Sequence, residues 1–230
     1  MTEQGLESSH SLFDFGKLAR GYDRWYETPA GRAHDQAQKS DVRKFLGPAK
    51  SGARLLDVGC GTGHWSRFFA SLGYAVQGVD ISQEMVAAAR VHPEPNCDFK
   101  VADACDLPFD NQSFDVVAAM AVLEFVFNVP LALKEMFRCV KEDGAVLVGS
   151  LNRLASINRR RRAKGREPYA SGRLLTPGEL RQLLRPFGSV RMLASSPRPR
   201  RGRHLGRQCG RLIAGPESMT GPFMVAEVRP

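Results

Sequence analysis

The residues with the clearest chemical potential form one run, Leu55-Leu56-Asp57-Val58-Gly59-Cys60-Gly61-Thr62-Gly63. An apolar segment ends there in three glycines at alternate positions, the pattern of a buried strand entering a tight turn. Glycine permits positive φ and lets a ligand approach bare backbone. Asp57, beside that turn, suits a cationic group better than a phosphate. About 20 residues further on, Gly78-Val79-Asp80 places an acid at a strand end, where it can accept hydrogen bonds from both hydroxyls of a ribose. A third acid closes Val101-Ala102-Asp103-Ala104, and a fourth closes Met120-Ala121-Val122-Leu123-Glu124.

These acids share a rim only if the segments carrying them are parallel strands. The expected strands are Arg54–Val58, Ala75–Val79, Asp98–Val101, Phe114–Met120 and Ala145–Ser150. Helices are expected at about 64–72, at 83–91 behind the N-cap Ser82, and at 130–140 with Pro130 at its start. Alternating β and α units with continuously apolar strands imply a parallel sheet covered on both faces, with ligands at the carboxyl edge. Before this core, residues 1–50 read as a helical cap, with a turn at Thr28-Pro29-Ala30-Gly31 and a helix at about 33–46. After it comes a basic insertion at 152–175 that includes Arg159–Arg162. A helix then runs to about Arg185, with Thr176 as N-cap, Pro177 at N1 and Glu179 at N3. Phe187–Leu193 and Phe223–Val228 read as late strands able to form an antiparallel edge hairpin. Ser195–Arg203 reads as an exposed loop. The expected fold is thus α/β: a doubly wound, mostly parallel seven-stranded sheet of Rossmann-like type, with an antiparallel edge strand and an N-terminal helical cap. The expected division is 1–50 for the cap and 51–230 for the main domain.

The ordered set LLDVGCGTG, GVDIS, VADACDLPF, FDVVAAMAVLEFV and GAVLVGS resembles the class I S-adenosylmethionine-dependent methyltransferases, and most closely the ubiquinone/menaquinone-biosynthesis branch. The likeness covers about residues 50–150. It implies S-adenosyl-L-methionine as cofactor, with the Gly59–Gly63 turn beside its methionine part and Asp57 near the ammonium. It further implies Asp80 on the ribose, Ile81 and Met85 on the adenine, Asp103 and Ala104 at the adenine amine, and Met120 as a backbone contact. Leu123 and Glu124 would line the approach to the methyl group, and Tyr22 and Trp65 are cap residues by position. Candidates for a catalytic base are His64, Glu124 and Tyr169. His64 opens a helix, whose dipole disfavours its charged form.

Composition narrows the alternatives. The 230 residues, 43% hydrophobic, suit one globular domain with an accessory region. No stretch approaches the roughly 20 apolar residues needed to span a bilayer. The start lacks the pattern of a secretory signal, and five cysteines without a CxxC pair suit a reducing cytoplasm. No metal site is expected. The net charge of +9 is uneven: residues 153–211 hold seventeen Lys/Arg against Glu167 and Glu179, and so carry +15, leaving −6 on the remainder. That basic third suits a solvated loop, an anionic or lipid-like acceptor near a membrane surface, or RNA. Base-stacking aromatics are scarce there, so nucleic acid ranks below a small-molecule acceptor. A non-catalytic adenosylmethionine-binding protein is a further alternative. A nicotinamide-dependent oxidoreductase would need Gly-x-Gly-x-x-Gly/Ala, but His64 occupies the sixth position.

Overall fold

The computed structural model describes residues 11–195 and 219–230. Seven strands form one sheet: β1 (Arg54–Val58), β2 (Ala75–Asp80), β3 (Cys97–Val101), β4 (Phe114–Met120), β5 (Val140–Leu151), β6 (Ser189–Ser195) and β7 (Phe223–Arg229). Their order is β3-β2-β1-β4-β5-β7-β6. β1 to β5 are parallel, and β7 pairs antiparallel with both β5 and β6, so the last two strands are an antiparallel hairpin at one edge. The order reverses between β1 and β4. In an open α/β sheet such a reversal opens a crevice beyond the strand ends.

The sheet is apolar on both faces because successive side chains alternate. Leu56, Val117, Ala119, Val146, Val148 and Met224 pack on one side with Leu133 and Met136 of the helix Val129–Cys139 and Leu180 and Leu184 of the helix Pro177–Leu184. Leu55, Val116, Ala118, Leu147 and Val225 pack on the other with Val42, Trp65, Phe68 and Phe69. The helices are α1 (Arg24–Glu27), α2 (Pro29–Phe45), α3 (His64–Ala70), α4 (Gln83–Val91), α5 (Val129–Cys139), α6 (Ser156–Ala163) and α7 (Pro177–Leu184). A 3-10 segment, Gly16–Gly21, precedes α1.

Several boundaries differ from expectation for identifiable reasons. Thr28-Pro29-Ala30-Gly31 is the first turn of α2 rather than a separate turn: the Thr28 hydroxyl accepts from Gly31 N–H at 2.9 Å, and Pro29 sits at N1. β5 starts early, at Val140, because Val140 pairs with Phe114 before the register shifts to Ala145 opposite Val116. Phe187 belongs to a 3-10 turn, Arg185–Phe187, stacked on Phe137 with ring centroids 4.3 Å apart, and β6 starts only after Gly188. The basic insertion contains α6, which carries Arg159–Arg162. Ser195 is buried at the end of β6 rather than in an exposed loop, and residues 196–203 lie outside the described residues. α7 has the expected capping box, with Glu179 N–H donating to the Thr176 hydroxyl (3.2 Å) and Thr176 N–H to the Glu179 carboxylate (2.7 Å). Among the described residues no helix is long and apolar enough to cross a membrane.

Candidate functional site

A cavity of about 550 Å3 lies beyond the carboxyl ends of β1, β2, β3 and β4. Its size falls within the ordinary range of small-molecule sites, roughly 300–1,000 Å3. The floor comes from the strand ends: Gly59, Cys60 and Gly61 after β1, Asp80, Ile81 and Met85 after β2, Asp103 and Ala104 after β3, and Met120 at the end of β4. The roof comes from outside the parallel core. The 3-10 segment and α1 contribute Tyr22, Trp25 and Tyr26, and α6 with the turn that follows contributes Asn158, Arg161 and Tyr169. His64 and Trp65, at the start of α3, form part of the wall between.

The glycine turn is held by the tip of β2. Gly61 N–H donates to Asp80 Oδ2 at 2.8 Å, Ser82 N–H donates to Oδ1 at 2.9 Å, and Cys60 N–H donates to the Val79 carbonyl at 2.9 Å. Gly61 has φ +54, and a Cβ placed there would meet nothing nearer than Met85 Sδ at 4.0 Å. The turn therefore shows uncovered backbone to the cavity. Gly59, at φ +67, is different: a Cβ there would run into the Val122 side chain. The Thr62 hydroxyl donates to Asp23 at 2.7 Å and so ties the turn to the roof.

The acids around the turn are pushed toward their neutral forms. Burial raises Asp57 to about 7, against the Ser66 hydroxyl that donates to it at 2.6 Å; the nearby Asp80 raises it further. Burial also raises Asp80, while the N–H groups of Ser82 and Gly61 oppose the shift. Asp80 already occupies the Gly61 N–H of the turn, a backbone donor of the kind that a dinucleotide's pyrophosphate uses. A ribose and a cationic amino-acid tail fit the same place, because the Asp80 carboxyl oxygens, each taking one backbone N–H, keep lone pairs free for hydroxyls. Ile81 and Met85 supply apolar surface beside it, and Asp103, whose carboxylate accepts from Cys105 N–H at 2.9 Å, stands at the end of β3. The uncovered Gly61 backbone, the Asp80 carboxylate and the apolar pair together fit an adenosyl group with a methionine tail.

Of the residues expected in the site, Tyr22, Gly59, Cys60, Gly61, His64, Trp65, Asp80, Ile81, Met85, Asp103, Ala104, Met120 and Tyr169 line this cavity. Asp57, Gly63, Leu123 and Glu124 do not. Asp57 lies beneath the turn, and Gly63, at φ +80, caps α3 and faces Phe99 and Arg67. Ala121, at φ +59, and Val122 stay on the cavity wall, while Leu123 and Glu124 turn inward. Leu123 joins the core, and Glu124 is fully buried with its carboxylate accepting from Leu151 N–H. Burial raises Glu124 to about 7, with that N–H opposing.

His64 Nε2 lies 2.7 Å from Asp35 Oδ1 and 3.0 Å from Lys39 Nζ, both on α2; its ring stacks on Tyr26 with centroids 3.7 Å apart and planes 7° apart. Depending on tautomer, that nitrogen donates to Asp35 or accepts from Lys39. Tyr169 accepts from an Arg161 guanidinium N–H at 2.7 Å, and its hydroxyl is pushed up by burial against the opposing Arg161 charge. Sequence reasoning missed Tyr26, Phe125, Arg161 and Phe223, all on the wall. Tyr22 and Tyr26 carried a signal in their i, i+4 spacing, and so did Asn158 and Arg161 at i, i+3. Among the described residues no group of three or more His, Cys, Asp or Glu is placed to hold a metal ion.

Comparison with known proteins bears on this geometry. Residues 56–148 match the methyltransferase domain family. The malonyl-[acyl-carrier protein] O-methyltransferase of Pectobacterium atrosepticum is 31% identical over 137 residues, covering 60% of this chain and 51% of that protein. The ubiquinone biosynthesis O-methyltransferase of Rhodopseudomonas palustris is 34% identical over 172 residues, covering 64% of each. The chain therefore spans only about half to two thirds of the length of these curated relatives. Among solved structures, a SAM-dependent methyltransferase of Thermotoga maritima superposes with TM-score 0.70 at 22% identity over 94% of this chain and 98% of that one. Phosphoethanolamine N-methyltransferase 2 of Haemonchus contortus, solved with S-adenosyl-L-methionine, gives 0.58 at 24% identity over 80% of this chain and 47% of that one.

Proposed function

We propose that the chain is a class I S-adenosylmethionine-dependent methyltransferase that methylates a small molecule held in the roofed cavity, a reading supported by its methyltransferase-domain match over residues 56–148 and by its fold. The observation that carries this reading is the division of the cavity. One half is an acid-tipped strand edge suited to a nucleoside, and the other is an aromatic chamber built by Tyr22, Trp25, Tyr26, Phe125, Tyr169 and Phe223. The curated relatives are named as O-methyltransferases, which supports oxygen as the acceptor atom.

S-adenosylmethionine, when bound, supplies a methyl group already activated on a sulfonium. The protein then has to position, orient and exclude water. We assign Asp80 to the ribose hydroxyls, Ile81 and Met85 to the adenine faces, Asp103 and Ala104 to the adenine amine, and the Gly59–Gly61 backbone with Met120 to the methionine part. Asp57 shapes the turn from beneath, through Ser66. Tyr22 and Trp65 close the cavity around the methyl-transfer point. His64 is a positioning residue: its contacts with Asp35, Lys39 and Tyr26 lock α2 and α1 against the start of α3. Tyr169, on the roof, is the candidate best placed to touch the acceptor. Glu124, raised by burial to about 7, lies beneath the wall rather than at the cavity surface.

The exposed arginines of α6, Arg159, Arg160 and Arg162, favour a second reading, RNA methylation, through phosphate contacts on the outer face. Titration with a duplex and a single-stranded RNA separates the two readings: binding that persists near 0.15 M salt supports RNA. For the main reading, the test is calorimetry with S-adenosylhomocysteine. Asp80→Ala should weaken binding about 10- to 150-fold, from a charge-assisted contact worth roughly 1.5–3 kcal/mol. Unchanged affinity in a folded variant would remove the cofactor assignment.

A further inference from the structure

Four consecutive arginines, Arg159–Arg162, sit on α6, but three are exposed while Arg161 is half-buried and reaches the cavity. Helical spacing explains the difference. Arg161 lies one turn after Asn158, on the same face. Asn158 is fully buried, and its side-chain amide donates to the carbonyls of Asn152 (3.0 Å) and Pro222 (2.7 Å), so that face is pinned inward.

Arg161 arrives there without a counterion. Its guanidinium lies 4.7 Å from the Tyr169 ring centroid and donates one hydrogen bond to the Tyr169 hydroxyl. Among the described residues it makes no ion pair, whereas Arg138, Arg153, Arg191 and Arg229 each face a glutamate. Glu167, an acid on the same wall, is used by the backbone N–H and hydroxyl of Ser171. Lys17 also borders the cavity, but its side chain is 84% exposed and pairs with Asp14. A guanidinium offers five donors, and one is engaged here, among aromatic side chains where a charge-assisted bond gains strength.

We propose that Arg161 is a specificity residue that binds an anionic oxygen group, a carboxylate or a phosphate, on the methyl acceptor. This rests on the small-molecule reading above. The acids Asp80 and Asp103 stand on the opposite, strand-end side, so an acceptor with an anionic end is drawn toward the roof and kept clear of the cofactor half. Tyr169 orients the guanidinium from one side and leaves its remaining donors to the ligand. Arg161 thereby selects for acceptors that carry both a ring or chain suited to aromatic walls and a negative charge.

The test titrates benzoate, phenyl phosphate and the neutral benzamide into the whole protein, with and without S-adenosylhomocysteine. Benzoate or phenyl phosphate should bind about tenfold or more tightly than benzamide, and whichever anion binds better tells carboxylate from phosphate. Arg161→Gln should remove that preference, Arg161→Lys should keep part of it, and affinity for S-adenosylhomocysteine should stay within about twofold in both. If Arg161→Gln does not fold, the wild-type preference and the Arg161→Lys variant decide. No preference for either anion over benzamide, or a preference that survives Arg161→Gln, overturns the proposal. So does loss of S-adenosylhomocysteine affinity in parallel with anion affinity, which would assign Arg161 to the cofactor's own carboxylate. A protein that binds the anions through Arg161 but does not bind S-adenosylhomocysteine sinks the methyltransferase reading and leaves Arg161 only as an anion-binding residue.

Discussion

Glu124 is expected to make the protein less stable as the pH rises, and Glu124→Gln should remove that dependence. The side chain is fully buried; one carboxylate oxygen accepts from Leu151 N–H and the other has no partner. Burial, opposed by that N–H, raises its pKa from 4.5 to about 7. An unfolded chain gives up this proton near 4.5, whereas the folded chain keeps it until about 7. The contribution to stability is therefore complete below 4.5, declines as pH climbs, and is gone above 7. The gap between those two values corresponds to about 3 kcal/mol. Glutamine keeps an acceptor for Leu151 N–H and carries no charge at any pH. Guanidinium unfolding of wild type and variant at pH 5 and pH 8 measures the effect. Asp57 titrates in the same direction in both proteins, so the quantity to compare is the change in their difference. The variant should gain about 2–3 kcal/mol on the wild type between the two pH values. Parallel stability curves would refute the reasoning and place the ionised carboxylate in better solvation than its burial implies.

Three further outcomes follow from the turn and the caps. Gly61→Ala should fold with a cost of about 1–2 kcal/mol, from its left-handed φ, because the nearest atom to the new Cβ is 4.0 Å away. Its affinity for S-adenosylhomocysteine should nevertheless drop at least about tenfold, as read by calorimetry. Gly59→Ala should lower the melting temperature more than Gly61→Ala does, since the added methyl meets Val122 as well as a positive φ; equal melting temperatures would contradict that packing. Thr176→Ala should cost about 1 kcal/mol in denaturant unfolding, through loss of the α7 capping box, without altering cofactor affinity.

The parallel core was legible in the sequence because its strands are buried on both faces, and continuous apolar runs such as Phe114–Met120 follow directly from that. The turn was legible because its glycines are placed by backbone geometry, which leaves a mark in residue type. Features that depend on one unusual dihedral left no such mark. Ala121 takes φ +59 just before Leu123 and Glu124 leave the cavity wall, and nothing in an alanine announces that angle. The roof was harder still. Tyr26, Arg161 and Phe223 meet across sequence gaps of more than sixty residues, and no local pattern connects them. The start of α2 was obscured because Thr-Pro-Ala-Gly satisfies turn and helix-cap chemistry alike, and the outcome depended on the Thr28 hydroxyl reaching Gly31 N–H.

The cavity's two halves come from different kinds of chain. Its strand-end half is bound into the hydrogen-bond ladder of the sheet, where altering one residue disturbs several neighbours. The roof is held to it by a few side-chain links, such as Thr62 to Asp23 and Asn158 to Pro222. Substitutions on the inner surface of the roof, at positions 161 and 169, can therefore accumulate without touching the backbone that supports the strand ends. Such an arrangement lets a lineage change what it modifies while the donor grip stays constant, and an engineer seeking a new acceptor should randomise the roof and leave the sheet edge untouched.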